Sequence, residues 1–478
     1  MKRLALAALP GPLAAALAVA LGLGLVLGAC AGTAPTAPAP ATAAAAPELA
    51  ITGVTVIDGT GGPARADMTV VIRGDRIASI EPRAAAQVTP GARIVDGRGR
   101  FLVPGLWDMH VHLSKTRAHS LALLVAHGVT SVRDMGGDLD ELLRWRAEIA
   151  AGARIGPRIT MAGPFLESAA NVERMRREGT VEPVARTRVP IADAADATRA
   201  VDRLAARGVD FIKFRTVASP EAYRAIAEAA RAHGLPLAGH ADQVPIDDMI
   251  AAGQRTLDHH VPLARKTADE RAAIYRRLVE RGIGVVPTMV TAFDSLLVPL
   301  DQARAIVEGA HPDPDRALVA AYTLADWREQ LAERPPGLAA VIRGLLADGL
   351  RTLREMHRAG VAIAPGTDSA VLLIYPGTSL HRELTLLVSE VGMTPMEILV
   401  AATRRSAELA GQAREVGTIE RGKRADLVML DADPLADVAH LARIHAVVLA
   451  GRLLARAALD DVLAQARAAP ELTRNDWK

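Results

Sequence analysis

Cysteine occurs once in 478 residues, at Cys30, which excludes any intrachain disulfide. Lysine is nearly as scarce. Lys2, Lys115, Lys213, Lys266, Lys423 and Lys478 are all there are, and the rest of the 56 basic residues are arginine. With abundant alanine, that bias reads as codon usage in a GC-rich genome, so a lysine inside an apolar run stands out. Aromatics make up only 3% of the chain, yet half of it is hydrophobic, so a large core is affordable. Excess charge of either sign is missing too. A net charge of +2 argues against nucleic acid and against an acidic partner. The length suits one large domain and one smaller one.

The chain opens with a short basic start, Lys2-Arg3, and an almost wholly apolar stretch over residues 4–29. Leu27-Gly28-Ala29-Cys30 closes it, as in a bacterial lipoprotein signal whose cysteine is lipidated. Residues 1–30 are therefore read as a lipoprotein-type signal, with an uncleaved membrane anchor or a plain secretory signal as alternatives. The expected location is the bacterial envelope, lipid-anchored at the periplasmic face or outer membrane. Residues 31–48, almost only Ala, Pro, Thr and Gly, read as a flexible tether.

From Leu49 to about Val103 the pattern is all-β: Ile51–Ile57, Met68–Ile72, Arg76–Ile80, Ala92–Val95 and Arg100–Val103. These strands are too few for a closed core. A matching set returns at Ala425–Leu430 and His445–Leu449. One small β-sandwich built from residues 49–103 and 413–456 is expected, followed by a helix or tail over 457–478. Between them, over 104–412, short apolar strands alternate with amphipathic helices. The strand candidates end at His112, Asp134, Gly163, Phe214, His240, His259, Thr288 and Asp368. Helices are expected at Ala192–Gly208, Pro220–His233, Ala268–Gly282 and Leu338–Gly360. Eight such units predict a (β/α)8 TIM barrel. Residues 290–336 are the least regular and read as a lid or an outer helical layer.

In a barrel of this kind reactive groups stand at the C-terminal ends of the strands. Phe101–Leu113 reads FLVPGLWDMHVHL, and His110 and His112, two apart, share one face of a strand. Two neutral imidazoles there are a ready transition-metal site, though the spacing alone is weak evidence. Strand four carries Lys213 in VDFIKF, where a buried ammonium is unfavourable and arginine was the common choice. A primary amine can react with carbon dioxide to give a carbamate that bridges two metals. A lysine snorkelling to the rim is the alternative. His240 ends strand five, and His259-His260 end strand six with only one able to face inward. Taken alone, His240 reads as a hydrogen-bonded core histidine. Asp368, in APGTDS, can bind a metal and accept a proton, or cap the next helix.

With these residues in view, the chain resembles the amidohydrolase superfamily, in the branch of imidazolonepropionase-like and metal-dependent prolidase-like (Xaa-Pro dipeptidase) proteins. The motifs that carry the resemblance are PGLWDMHVHL, GVTSVRDMGG, GPRITMAG, GVDFIKF, GHAD, TLDHH and APGTDS. SLHRELTLLVSEVGMTPMEILVAAT and GTIERGKRADLVMLDADPL extend it, so that it covers about Leu49–Arg456. The resemblance implies two divalent metals, zinc first, with manganese, cobalt or iron as alternatives. His110, His112 and Asp368 would hold one metal, and His240 and His259 the other, with a CO2-derived carbamate on Lys213 bridging them. It also selects His259 over His260.

Two departures stand out. Similar proteins often carry a histidine where this chain has Asp242. The loop Phe165–Pro190 lacks the expected Gly- and His-rich pattern and is instead basic, with Arg174, Arg176, Arg177, Arg186 and Arg188. It reads as a solvated loop rather than an anchor for an acidic substrate. His381, after strand eight, is either structural or a hydrogen-bonding neighbour of the site.

The reaction so implied is hydrolysis of a C–N amide bond by a metal-bridging hydroxide, with Asp368 moving the proton. Substrates of the expected kind are small molecules or short peptides: an Xaa-Pro dipeptide, an N-acyl amino acid or a cyclic amide. Esterase, lactonase or organophosphate-hydrolase chemistry on the same site is the alternative, as is a non-catalytic surface binding lipoprotein. The only membrane contact expected is the N-terminal lipid, and a homo-oligomer is left open.

Overall fold

The computed structural model describes residues 48–178 and 184–468. Cys30, the signal and nearly all of the tether lie outside the described residues, as do 469–478 of the tail.

Five strands open the chain: β1 (Glu48–Val56), β2 (Arg65–Arg73), β3 (Arg76–Pro82), β4 (Arg93–Asp96) and β5 (Phe101–Pro104). Ten follow in the middle: β6 (Leu106–Val111), β7 (Val129–Asp134), β8 (Arg158–Met161), β9 (Phe165–Ser168), β10 (Arg188–Ile191), β11 (Ile212–Phe214), β12 (Leu237–His240), β13 (Thr256–Asp258), β14 (Gly284–Val286) and β15 (Ala362–Ile363). Three close it: β16 (Leu427–Leu430), β17 (Ile444–Leu449) and β18 (Arg452–Ala455).

The outer strands form one sheet in the order β18-β17-β16-β5-β1-β2-β3, with β4 also on β1. Its centre joins the two ends of the chain: β5 pairs parallel with β1 on one side and antiparallel with β16 on the other. The sheet wraps one apolar core. Ile51, Val54, Val56, Met68, Val70 and Ile72 come from the first end, and Leu427, Met429, Ala446 and Val448 from the second. The alternating pattern of β1 is interrupted at Gly53. Its φ of +73° lies in the region glycine adopts most readily, and the register slips there. This is the β-sandwich built from both ends.

The middle strands make the barrel. β6-β7-β8 pair in parallel, and so do β11 through β15. The seams close through backbone bonds outside the regular ladders. Asp210 N donates to Met161 O at 2.9 Å between the β8 and β11 ends, and Met109 N donates to Pro365 O at 3.0 Å between β6 and the segment after β15. Eight strands therefore form the ring, and β9 and β10 extend it outward beside β11.

The helices follow their apolar periodicity closely. Those expected from the sequence are observed at Ala194–Ala206, Pro220–Ala232, Ala268–Arg281 and Leu338–Arg358. Asp193, Ser219 and Thr267 cap the first three with side-chain oxygens that accept backbone N–H groups of the first turn.

The eighth strand departs from expectation. The sequence marks Val361–Asp368 as one run, but only Ala362–Ile363 is strand. Pro365 lacks a donor, so regular pairing stops. Residues 365–369 instead lie against β6, where Asp368 N donates to His110 O and His112 N donates to Ser369 O. Residues 290–336 form an outer layer that includes Leu300–Val307 and Ala321–Glu333. It packs around Trp327 with Leu372, Leu373 and Tyr375. No helix among the described residues is long and apolar enough to cross a membrane.

Candidate metal centre

His110, His112, Lys213, His240, His259 and Asp368 all line one cavity of about 210 Å3 at the strand ends. Asp368 is its hub. Its Oδ1 lies 3.2 Å from His112 Nε2 and 3.5 Å from His110 Nε2, and its Oδ2 lies 4.0 Å from His259 Nε2. The His259 ring stands 4.5 Å from that of His110 and 4.7 Å from that of His240. One ligand atom from each of His110, His259 and Asp368 falls within 4.8 Å of the others. His112 and His240 join the ring of nitrogens but not that tightest group.

Backbone geometry delivers these side chains. His259 and Asp368 both have positive φ, +66° and +59°, as does neighbouring Thr288 at +48°. Non-glycine residues seldom adopt this conformation, and where they do it often marks a functional site. Each turn lifts its side chain off the strand direction into the cavity. Outer contacts then aim the rings. His112 Nδ1–H donates to the Gly136 carbonyl at 3.0 Å, which leaves Nε2 with its lone pair toward Asp368. His259 Nδ1 meets the Thr288 hydroxyl at 2.7 Å.

The electrostatics fit a cation. Burial pushes the His110 imidazole well down from its usual range, and His240 and His259 are lowered for the same first reason. Three of the rings are thus neutral, with lone pairs directed at one another and at a carboxylate. Burial works to raise Asp368, but the His112 contact and nearby positive charge, Lys115 included, outweigh it and hold the carboxyl near 2. His110 Nδ1 is buried without a hydrogen-bond partner among the described residues. Neutral imidazoles, an ionised carboxylate and an unsatisfied ring nitrogen in one pocket are the donor set of a divalent transition metal.

Lys213 occupies the floor. Its Nζ donates to Asp258 Oδ2 at 2.9 Å, and both side chains are buried. Asp258 also accepts from Arg133 Nη2 at 3.0 Å, while Arg133 Nε donates to the Met109 carbonyl of β6. Burial lowers the lysine and Asp258 partly restores it. Asp258 itself is raised by burial but brought below its usual range by its two cations.

Arg133 and Asp258 were not singled out in the sequence, although both stand in motifs that were. Asp108 is a third such residue. It accepts from Thr367 Oγ1 at 2.6 Å and from the backbone N–H groups of Thr367 and His110, tying the β6 histidines to the Asp368 segment. Burial raises it to about 7.

His381 does not reach the cavity. It lies in the helix Thr378–Leu386, where Nε2–H donates to the His127 carbonyl at 2.9 Å beside the His127 ring. Its contacts are structural, with a residue that precedes β7 rather than one that follows it. The basic loop is also resolved into roles. Arg174 pairs with Glu178 and Arg176 with Glu173 at the surface, whereas Arg188 turns inward and lines the cavity.

The model of the amidohydrolase family matches residues 101–454. The imidazolonepropionase of Rubrobacter xylanophilus is 28% identical to this chain, over 81% of it and 90% of the relative. The ochratoxinase of Aspergillus niger is 26% identical over 70% of this chain and 71% of its own. Among solved structures, a provisionally assigned prolidase from Bifidobacterium longum superposes with a TM-score of 0.68 at 26% identity. It covers 88% of this chain and 99% of that one.

Proposed function

The chain belongs to the amidohydrolase family of metal-dependent hydrolases acting on C–N bonds, and we propose that it cleaves an amide of a small molecule or short peptide at the cavity around Asp368. The observation that carries this reading is the convergence of four histidines, one lysine and one carboxylate from five barrel strand ends on that cavity.

In the proposed site His110, His112 and Asp368 would hold one divalent ion and His240 and His259 the other, zinc being favoured by the nitrogen-rich donor set. Bound there, the metals supply an acidified water and polarise the scissile carbonyl. Lys213, as a carbamate, would supply a further anionic ligand to them. Its amine nitrogen bonds to the carbon of CO2 and a proton is lost, leaving an anion. Burial favours this course because it disfavours the competing ammonium. Asp368 takes the proton from water and returns it to the leaving nitrogen. The acyl carbon gains the water oxygen as the C–N bond breaks.

Imidazolonepropionase and ochratoxinase, the named activities of two relatives, fit an amide-cleaving centre; a prolidase-like preference for Xaa-Pro is one version of the same reading. Cys30 is proposed to carry the lipid that tethers the enzyme to the envelope, and an unmodified Cys30 in the mature protein would sink that part.

The decisive experiment is metal analysis with turnover. Protein loaded with zinc or manganese in bicarbonate is expected to hold close to two metals per chain and to hydrolyse amides. Lys213→Ala is expected to lose both the second metal and at least about 1,000-fold in kcat, in keeping with the weight of metal-site electrostatics. Full activity in that variant would remove Lys213 from the mechanism.

A further inference from the structure

The cavity at Asp368 opens on two sides of opposite character. On one side lies a second cavity of about 440 Å3 that shares His240, His259 and Asp368 with the first. Its far wall is the helix Leu338–Arg358, which presents Ile342, Leu345, Leu346 and Leu353; Met289 and Leu296 face them. No lysine or arginine lines it among the described residues. Leu345, which lines this cavity, is 50% exposed, and Val341 on the same helix 60%. A Cβ on Gly344 would meet nothing within 4 Å, so the helix is open there rather than packed.

The smaller side carries charge. Lys115, Arg188 and Arg215 line it, and Asp368 is the only carboxylate among the described lining residues. Behind them Glu167 lies 3.5 Å from Arg188 and 3.3 Å from Arg215, so one acid answers two guanidinium groups. That acid is held by Asn171 as well. Arg188 is further fixed against the Phe165 ring at 4.8 Å. Lys115 has no ion pair among the described residues. The arm therefore keeps positive charge that its own surroundings do not neutralise.

We propose that the substrate is an N-acyl α-amino acid with a long aliphatic acyl chain. The chain fills the apolar arm, the scissile amide lies at the shared residues, and the α-carboxylate meets Lys115, Arg188 and Arg215. The sizes agree with this orientation. The carboxylate of an α-amino acid sits two bonds from the amide nitrogen and needs only the small arm, whereas the acyl chain needs the large one. Hydrolysis adds water across the C–N bond and releases a fatty acid and a free amino acid. This assignment rests on the amide-hydrolase reading and narrows it.

The test compares N-acetyl-, N-butyryl- and N-octanoyl-L-alanine with N-ethyloctanamide, which lacks the carboxylate, and with Ala-Pro, on the metal-loaded full chain. Binding of the octanoyl compounds is measured in parallel by calorimetry. Each buried methylene is worth about fourfold, so octanoyl is expected to exceed acetyl by at least ~100-fold in kcat/KM. Leu345→Asp is expected to reduce the octanoyl-to-acetyl ratio at least ~10-fold. Lys115→Ala should raise KM for N-octanoyl-L-alanine and shrink its advantage over N-ethyloctanamide. A best rate on Ala-Pro or the acetyl compound, with no effect of chain length, would overturn the substrate class and leave the hydrolase intact. Selective binding of N-octanoyl-L-alanine without cleavage of any amide would overturn the hydrolase and leave the ligand class. Absence of both binding and cleavage of the octanoyl compounds would overturn the substrate class outright.

Discussion

With Lys213 unmodified, Asp258 holds two cations at once, Lys213 at 2.9 Å and Arg133 at 3.0 Å, all three buried. Removing one partner from such a group leaves charge buried without an answer, typically at about 3–5 kcal/mol. Asp258→Asn is thus expected to lower the thermal midpoint by several degrees, which differential scanning calorimetry would read. Glu383 makes the opposite case. It is wholly buried and accepts from Val290 N at 2.7 Å, with no cation paired to it among the described residues. Burial raises it to about 8 from an ordinary 4.5. Below pH 4.5 it is protonated folded and unfolded alike. Between 4.5 and 8 the unfolded chain releases the proton more readily, so this group's contribution falls as pH rises and levels off above 8. Glu383→Gln is expected to flatten that decline, its midpoint relative to the parent rising from pH 5 to pH 8. A constant difference would contradict it. The six cavity residues could be placed together because the apolar runs they close read as strands of one barrel. The buried network was not, since Arg133 and Asp258 lie 125 residues apart and meet only across the closed barrel. His381 looked eligible by its place after strand eight, but helix geometry turns it toward His127.

Among the elements, helices were read almost to the residue because period and caps coincide, as at Thr267 with Glu270 before Ala268–Arg281. Strand eight was read too long, because its apolar residues resemble a strand whether or not the backbone pairs. The irregular piece that replaces it depends on close approach. A Cβ on Gly366 would stand 2.6 Å from Val286 Cγ1 and 3.0 Å from His110 N. Gly366→Ala is therefore expected to push the Asp368 segment away from β6 and to lower metal content per chain, measured by plasma emission, even where the protein still folds. The two arms of the groove were beyond sequence reading for a related reason. Leu345 and Arg188 belong to segments whose inward faces are chosen by packing, and five arginines in one loop gave no sign of which would turn in.

At the scale of the whole molecule, the sheet that closes over Ile51 and Leu427 depends on both ends of the chain. Matching composition at the two ends made this visible in the sequence, while the order of strands within the sheet did not follow from it. A chain ending at Gly417 would lack β16, the strand that covers β5, and would leave Leu102, Val56 and Ile72 facing solvent. An open apolar edge of that kind invites association. Such a truncation is expected in the insoluble fraction, or as high-mass species on size exclusion, whereas a monodisperse monomer would show that the barrel stands alone.

The same arrangement sets a schedule. Arg100 and its partner Asp431 are 331 residues apart. At a synthesis rate of about 5–20 residues per second, β5 leaves the ribosome roughly 20–60 seconds before the strand that completes its sheet. During that interval the first strands wait as an unfinished surface while the barrel is still being made. A chaperone or export factor that shields residues 48–104 would act within that window, and slower translation would lengthen the exposure in proportion.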